Sequence, residues 1–332
     1  MSASTRVIFV LRDGLPETAG NRTTAERLAA GLSARGVEVA IREAGQLRAL
    51  PGRPTIYHAL HALGSGPAAL ACARRDIDPV VVTLTGTDAG EGPSPALSAV
   101  LERCDAVVTF HPDPVADATV IPPGVASLAG RRDRPAWDLA PGDVVFLLPA
   151  GVRPVKDPAF ALAPLADLRA SGRPIRLVIV GPARDQAATD DLCEQLRAAG
   201  PWASYLGELP HTRMGSLYRS ADIVLNTSRI EGLSNAVLEA MACGRPVLVS
   251  DIPGNRAAVT TDRTGLLYAV GDPADFRAQA ERLVDDHALR RRLGRAAARH
   301  VRTRFAPEAE IDRLLALYAN LSQSLRQAPA RI

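Results

Sequence analysis

The chain has 332 residues, too many for one ordinary core and enough for two α/β domains. Apolar residues make up 47% of it, which supports sizeable cores, and no long polar or low-complexity tract points to disorder. With 39 Lys and Arg against 36 Asp and Glu, the formal charge is +3 with His neutral, so the balance gives no reason to expect nucleic-acid or membrane-surface binding.

In chain order, the first half offers strand-like apolar runs at Val7–Leu11, Val37–Ile41, Thr55–His58, Val80–Leu84, Ala106–Phe110 and Thr119–Ile121. Helical patterns lie between them. Thr23–Arg35 carries Ala25, Leu28, Ala29 and Leu32 on one stripe, and Pro67–Arg75 and Ser94–Arg103 read the same way. The first run is far too short for a signal peptide or a membrane span and meets Arg12-Asp13-Gly14 directly. No transmembrane segment is expected. The scattered Cys72, Cys104, Cys193 and Cys243 form no C-x-x-C pair and read as buried, reduced thiols of a cytoplasmic protein.

The interval Arg131 to Gly142 loses periodicity and carries charges, two prolines and a glycine, which marks a domain boundary. It divides the chain into residues 1–135, residues 142–303 and a last helix at 307–325 that packs back toward the first domain. The second series of strands is Val144–Leu148, Ile175–Val180, Ser204–Leu206, Ile223–Asn226 and Pro246–Val249. Its helices are Phe160–Ala170, Thr189–Ala199, Met214–Ser220, Asn235–Ala242, Ala274–Asp286 and Ala288–Val301. Such alternation predicts two Rossmann-like domains with mostly parallel sheets and a ligand crevice at the strand C-terminal ends. Architecture alone fits a transferase, a dehydrogenase or a binding protein equally well.

The most informative stretch is Ser228-Arg229-Ile230-Glu231-Gly232-Leu233-Ser234-Asn235-Ala236-Val237-Leu238-Glu239-Ala240-Met241, where a strand turns through small residues into a helix. Ser234 is a candidate N-cap, and the helix start suits a phosphate. Asn235 and Glu239, four apart, share a helix face. A carboxylate at Glu239 suits a ribose diol, while Glu231 in the loop is placed to reach a sugar hydroxyl. Val237, Leu238, Met241 and Ala242 make an ordinary packing stripe beside these groups.

Earlier, Leu148-Pro149-Ala150-Gly151-Val152-Arg153-Pro154-Val155-Lys156-Asp157-Pro158 places two cations after a glycine turn, suited to a leaving diphosphate. The Glu segment resembles the E-x7-E signature of glycosyltransferase family 4, and Cys243 to Asn255 resembles that family's continuation. Arg153 and Lys156 fit the family's G-x-x-x-x-K element residue by residue. Gly-Leu-Ser follows the first Glu where relatives carry Pro-Phe-Gly.

The resemblance implies a GT-B fold and a retaining, metal-independent glycosyltransferase using a nucleotide-sugar, a UDP-sugar by family frequency, and no cofactor. It assigns catalytic roles to Arg153, Lys156 and Glu231, ribose binding to Glu239, and the diphosphate to Gly232, Leu233, Ser234 and Asn235. Gly181 and Leu209, ending two strands, look like base-side loops. The domain at 1–135 would then hold a small acceptor, near Gly20 and Asn21 at a turn entering a helix, Asp88 in Thr85-Gly86-Thr87-Asp88, and His61 as a fourth catalytic candidate. His58 and His111 are weaker candidates, and Thr85 stands where relatives carry His. Gly20–Arg27, Gly86–Asp88 and Pro149–Pro158 look most like glycosyltransferase-one-domain-containing proteins, and Ala59–Ala62, Leu84–Asp88 and Lys156–Pro158 also resemble selenosugar synthases. Selenophosphate transfer, a sugar-nucleotide epimerase or hydrolase, and a non-catalytic nucleotide-sugar-binding partner stay open as alternatives. Asp76-Ile77-Asp78 is a D-x-D by letter but precedes its strand and reads as a polar turn.

Overall fold

Short apolar runs become parallel strands here because helices cover both faces, so consecutive residues along one strand are buried in opposite directions. The computed structural model describes residues 6–15, 20–85, 94–112, 117–132, 139–140 and 142–327. The chain divides into two compact units, Met1–Gly124 with Phe305–Ile332, and Val125–Arg304.

The first unit contains strands β1 (Arg6–Leu11), β2 (Glu38–Glu43), β3 (Thr55–Leu60), β4 (Val80–Thr83), β5 (Ala106–Thr109) and β6 (Thr119–Val120). Their order is β2-β1-β3-β4-β5-β6, and every pairing among the described residues is parallel. Val7, Phe9 and Leu11 of β1 pack with α1 (Gly20–Ser33) and with α11 (Pro307–Gln327). Ile8 and Val10 pack on the opposite face with α2 (Ala62–Cys72) and α3 (Pro95–Leu101). The terminal helix α11 is thus core to this unit. Gly31 of α1 lets it approach, since a Cβ there would lie 2.5 Å from Ile311. Glu310, 2% exposed, pairs with Arg27 and accepts the Gly124 N–H at 2.8 Å. Tyr318 and Thr83 hydroxyls each lie 2.6 Å from a ring nitrogen of His58, a fully buried imidazole whose pKa desolvation pushes down to about 3.

The second unit orders its strands β12-β11-β10-β7-β8-β9, again parallel throughout the described residues. They are β7 (Val144–Pro149), β8 (Ile175–Val180), β9 (Ala203–Tyr205), β10 (Ile223–Asn226), β11 (Val247–Ser250) and β12 (Leu266–Tyr268). The helices are α4 (Leu162–Ala170), α5 (Gln186–Ala199), α6 (His211–Ser220), α7 (Asn235–Ala242), α8 (Pro253–Ala258), α9 (Pro273–Asp285) and α10 (His287–Arg304). Val144, Phe146 and Leu148 share one core with Leu165, Leu168, Phe276 and Leu283. Among the described residues no helix is long and apolar enough to cross a membrane.

Several boundaries differ from the sequence reading. The units divide after Gly124, ahead of the Arg131–Gly142 interval. The reason is a close contact of backbones: a Cβ on Gly215 in α6 would lie 1.9 Å from the Ala129 carbonyl, and Arg219 donates to the Leu128 carbonyl. Residues 125–130 therefore belong with α6. Helix α2 begins at Ala62 and carries Pro67 inside it, whereas proline's preference for a first helical position predicts a later start. Gly20 and Asn21 form the first residues of α1 rather than a turn before it. α8 and β12 are absent from the sequence reading: Pro253-Gly254-Asn255 looks like a turn, and three apolar residues give no periodicity. Of the cysteines, Cys243 is buried, while Cys72, Cys104 and Cys193 are half-buried.

Candidate active site

The chemistry-bearing residues of the second unit gather at the C-terminal ends of β7, β8 and β10, where each strand delivers its following loop. After β7 the chain bridges to Ala183 through Val152 and then forms a 3-10 turn, Pro154–Lys156. Pro154 starts that turn with its φ already set. Asp157 closes it with φ +43°, a left-handed conformation that Asp tolerates better than most side chains. The loop after β10 lies alongside. Thr227 Oγ1 donates to the Lys156 carbonyl at 2.8 Å, and the Arg229 N–H donates to the Val155 carbonyl at 2.9 Å. The Arg229 guanidinium reaches Asp157 Oδ2 at 2.9 and 2.7 Å.

These contacts bring together two side chains 75 residues apart in sequence. Lys156 Nζ forms an ion pair with Glu231 Oε2, and Ser228 Oγ donates to the same oxygen at 2.9 Å. The two side chains are only 16% and 14% exposed. Burial pushes the Glu231 carboxyl up, but the Lys156 charge and hydrogen bond, the Ser228 hydroxyl and the Arg153 charge outweigh it. The carboxyl therefore ionises below the ordinary glutamate value. Arg153 is partly buried beside this pair.

A buried polar cluster braces the Glu231 loop from behind. Asn255 Nδ2 donates to Asn226 Oδ1 at 3.0 Å and to the Ser250 carbonyl at 2.9 Å. Ser250 Oγ donates to the Ser228 carbonyl at 2.6 Å. Gly254 lies so close to the loop that a Cβ there would sit 2.1 Å from the Gly232 carbonyl and 2.2 Å from that of Glu231. The Asn255, Ser250 and Asn226 roles carry no motif of their own. Ser250 and Asn255 do lie within the Cys243–Asn255 stretch that resembles the family's continuation, and a polar residue ends each of the two neighbouring strands.

Helix α7 starts as its sequence predicts, with Ser234 Oγ accepting the Val237 N–H at 3.5 Å. Gly232, Leu233 and Ser234 are buried at this helix start, and Asn235 is partly exposed. One turn further on, Glu239 accepts from Tyr218 at 2.9 Å on Oε2 and from His211 Nε2 at 2.8 Å on Oε1. Both partners come from α6 and were missed in the sequence. A buried tyrosine that needs a partner for its hydroxyl is the signal that points to one of them. The bond to Glu239 raises the His211 pKa; burial first, then Glu239, raises that of Tyr218 well above the ordinary phenol value.

Gly181 takes φ +149° at the end of β8, where a Cβ would lie 2.1 Å from the Ala150 carbonyl. Its N–H donates to the Gly207 carbonyl at 2.9 Å and its own carbonyl accepts from Tyr205 at 2.7 Å. Both backbone groups thus serve the packing of the loops. Leu209, half-buried, lies two residues before α6.

In the first unit, His61 follows β3 with φ +112° and ψ +114°, a conformation only glycine adopts without strain. Its Nδ1 accepts the Gly64 N–H at 3.0 Å and so caps α2. Asn21 Nδ2 donates to the Leu60 carbonyl at 3.4 Å and to Thr85 Oγ1 at 3.3 Å, which draws α1, β3 and β4 together at one end of the sheet. Gly20 is exposed at the start of α1. Asp88 lies outside the described residues. His58 is buried in the core, and His111 is half-buried with Nδ1 3.0 Å from the Pro112 carbonyl. Asp78 of the D-x-D is a structural group: it binds Arg74 at 2.7 Å and the Thr55 N–H at 2.8 Å.

The sequence model of the glycosyl transferases group 1 family matches residues 131–300. Glycosyltransferase 1 domain-containing protein 1 of Xenopus tropicalis is 32% identical, over 53% of this chain and 50% of that protein. D-inositol 3-phosphate glycosyltransferase 1 of Catenulispora acidiphila is 30% identical, over 86% of this chain and 77% of that protein. The chain spans about half the length of several curated relatives it matches. Among solved structures, the sucrose-phosphate synthase of Thermosynechococcus elongatus superposes with TM-score 0.78 at 18% identity, over 96% of this chain and 100% of that one. Anabaena HepE in complex with UDP and glucose gives TM-score 0.71 at 16% identity, over 95% and 100%.

Proposed function

The chain belongs to the glycosyl transferases group 1 family and has the two-domain, Rossmann-like GT-B fold, and we propose that it transfers a sugar from a nucleotide-sugar to a small acceptor. The donor is a UDP-sugar, the anomeric configuration is retained as in glycosyltransferase family 4, and no metal or cofactor takes part. The location is cytoplasmic. The observation that carries this reading is the Lys156–Glu231 pair with its Ser228 contact, assembled from two loops at the strand ends. UDP as the nucleotide draws support from the Anabaena structure that holds UDP and glucose.

Arg153 and Lys156 neutralise the diphosphate as it departs. Fixed cations of this kind typically stabilise a transition state by ~2–4 kcal/mol each. Glu231, held ionised by those cations, accepts from hydroxyls of the donor sugar. Gly232 to Asn235 line the diphosphate at the start of α7, Glu239 takes the ribose, and Gly181 and Leu209 border the base. The acceptor attacks the anomeric carbon on the face from which the diphosphate leaves, and its proton passes to a departing phosphate oxygen. His61, Gly20, Asn21 and Asp88 serve the acceptor.

The test is transfer by Lys156→Ala and Glu231→Ala with a panel of UDP-, GDP- and ADP-sugars, offered sugar phosphates, selenophosphate and thiophosphate as acceptors. Both variants are expected to lose transfer while keeping the far-ultraviolet circular dichroism of the parent. Near-normal transfer by either one removes the site assignment. Donor breakdown without any acceptor by the parent chain would point to a hydrolase or epimerase instead.

A further inference from the structure

We infer that Tyr218 and His211 are positioning residues that orient the Glu239 carboxylate to accept a vicinal diol, so that the site discriminates ribonucleotides from their 2′-deoxy counterparts. This rests on the reading of Glu239 as the ribose group of the donor site.

An ionised carboxylate has two oxygens and about four lone-pair positions. In Glu239 one position on each oxygen is already filled from the protein, by the Tyr218 hydroxyl on Oε2 and by His211 Nε2 on Oε1. Among the described residues no other group bonds to either oxygen, so one position on each remains. A cis-diol donates one O–H to each and completes the set, whereas a 2′-deoxyribose leaves one unfilled.

The two partners act differently. Tyr218 is fully buried in α6, so its hydroxyl has a fixed direction and remains a donor at every pH of interest. It locks Oε2. His211 is half exposed, with 50% of its side chain accessible, and holds Oε1 from the start of the same helix. Its Nε2 carries a proton toward Glu239 in the neutral tautomer and in the cation alike, so the contact is a hydrogen-bond donor first and a charge second. Glu239 itself is 14% exposed and rooted in α7, which leaves its carboxylate free to rotate only about its last torsions. Two donors from α6 stop that rotation. A carboxylate free to turn would still attract a diol, but would distinguish it poorly from a single hydroxyl.

The experiment measures binding of UDP, GDP and ADP and of dUDP, dGDP and dADP by calorimetry, for the parent chain, Tyr218→Phe, His211→Ala and His211→Gln. The parent is expected to prefer the ribonucleotide by about tenfold or more for whichever base it binds. Tyr218→Phe is expected to shrink that preference to within about threefold by weakening the ribonucleotide more than the deoxy form. His211→Ala shrinks it partly, and His211→Gln, whose amide nitrogen reaches the position of Nε2, restores it. Equal weakening of both nucleotides by Tyr218→Phe, or a failure of His211→Gln to outperform His211→Ala, overturns the inference. Should Tyr218→Phe unfold, the exposed His211 pair carries the decision alone. A parent that binds none of the six diphosphates removes the donor-site reading itself. A parent that binds them without ribose preference keeps the donor site and removes only this inference.

Discussion

Replacing Lys156 by Met tests how the centre is held together, because it removes the charge and keeps the length of the side chain. Breaking a fully buried ion pair by deleting one partner typically costs ~3–5 kcal/mol. Here the side chains are 16% and 14% exposed, Ser228 still donates to Glu231, and the Arg153 charge remains nearby. We therefore expect Lys156→Met to lose ~2–3 kcal/mol, about 5–10 °C for a unit of this size. Adding Glu231→Gln removes the stranded charge, so the double variant should recover at least ~1 kcal/mol relative to the sum of the singles. Urea unfolding followed by tryptophan fluorescence reports this, since both tryptophans lie in residues 125–304 and Trp202 is buried there. The difference should also depend on pH. Glu231 ionises below its ordinary value, so its contribution is complete at neutral pH and fades as pH falls through the ordinary and then the lowered value. The gap between parent and Lys156→Met must close in acid. Additive singles, or a gap that widens in acid, would refute the reasoning.

Three further outcomes follow from other contacts. Gly254→Ala places a methyl 2.1 Å from the Gly232 carbonyl, so it should destabilise by ~1–3 kcal/mol or more and depress transfer together with donor affinity; unchanged kinetics would uncouple α8 from the Glu231 loop. His61→Gly should raise unfolding stability by ~0.5–1 kcal/mol, because relief of a positive φ exceeds the loss of a cap and the added chain entropy. Transfer should fall at the same time, and a variant that gains stability with full activity would show the strain to be idle. His58 is neutral in the folded chain down to pH values of about 3, whereas the unfolded chain protonates at the ordinary imidazole value. Stability is then whole above that value and declines as pH falls, by ~1.4 kcal/mol per pH unit for one proton, and His58→Gln should flatten that slope in urea titrations.

The parallel architecture was legible because buried strands read as uninterrupted apolar runs, and all of the predicted strands occur within a residue or two of their expected ends. Periodicity failed where glycine and proline mean something other than a stop. In α2 the first turn is Ala62-Leu63-Gly64-Ser65, capped by a histidine, and none of these advertises a helix start. At the site, Glu231 and Lys156 were readable from their motifs, yet their direct pairing was not. It depends on Thr227, Arg229 and Asp157 holding two loops side by side. His211 and Tyr218 were invisible for a related reason: their partner lies on the next helix, more than twenty residues away, and no spacing rule joins them.

The ladder between the two loops has a consequence for exchange of parts between relatives. Residues 153–157 and 227–231 share a backbone hydrogen bond, a threonine contact and an arginine fork, so neither has an independent shape to inherit. A graft that transplants the lysine loop alone would arrive without the surface that moulds it. The smallest transferable piece is the pair, and substitutions at Asp157 and Arg229 should be tolerated chiefly when both change in concert.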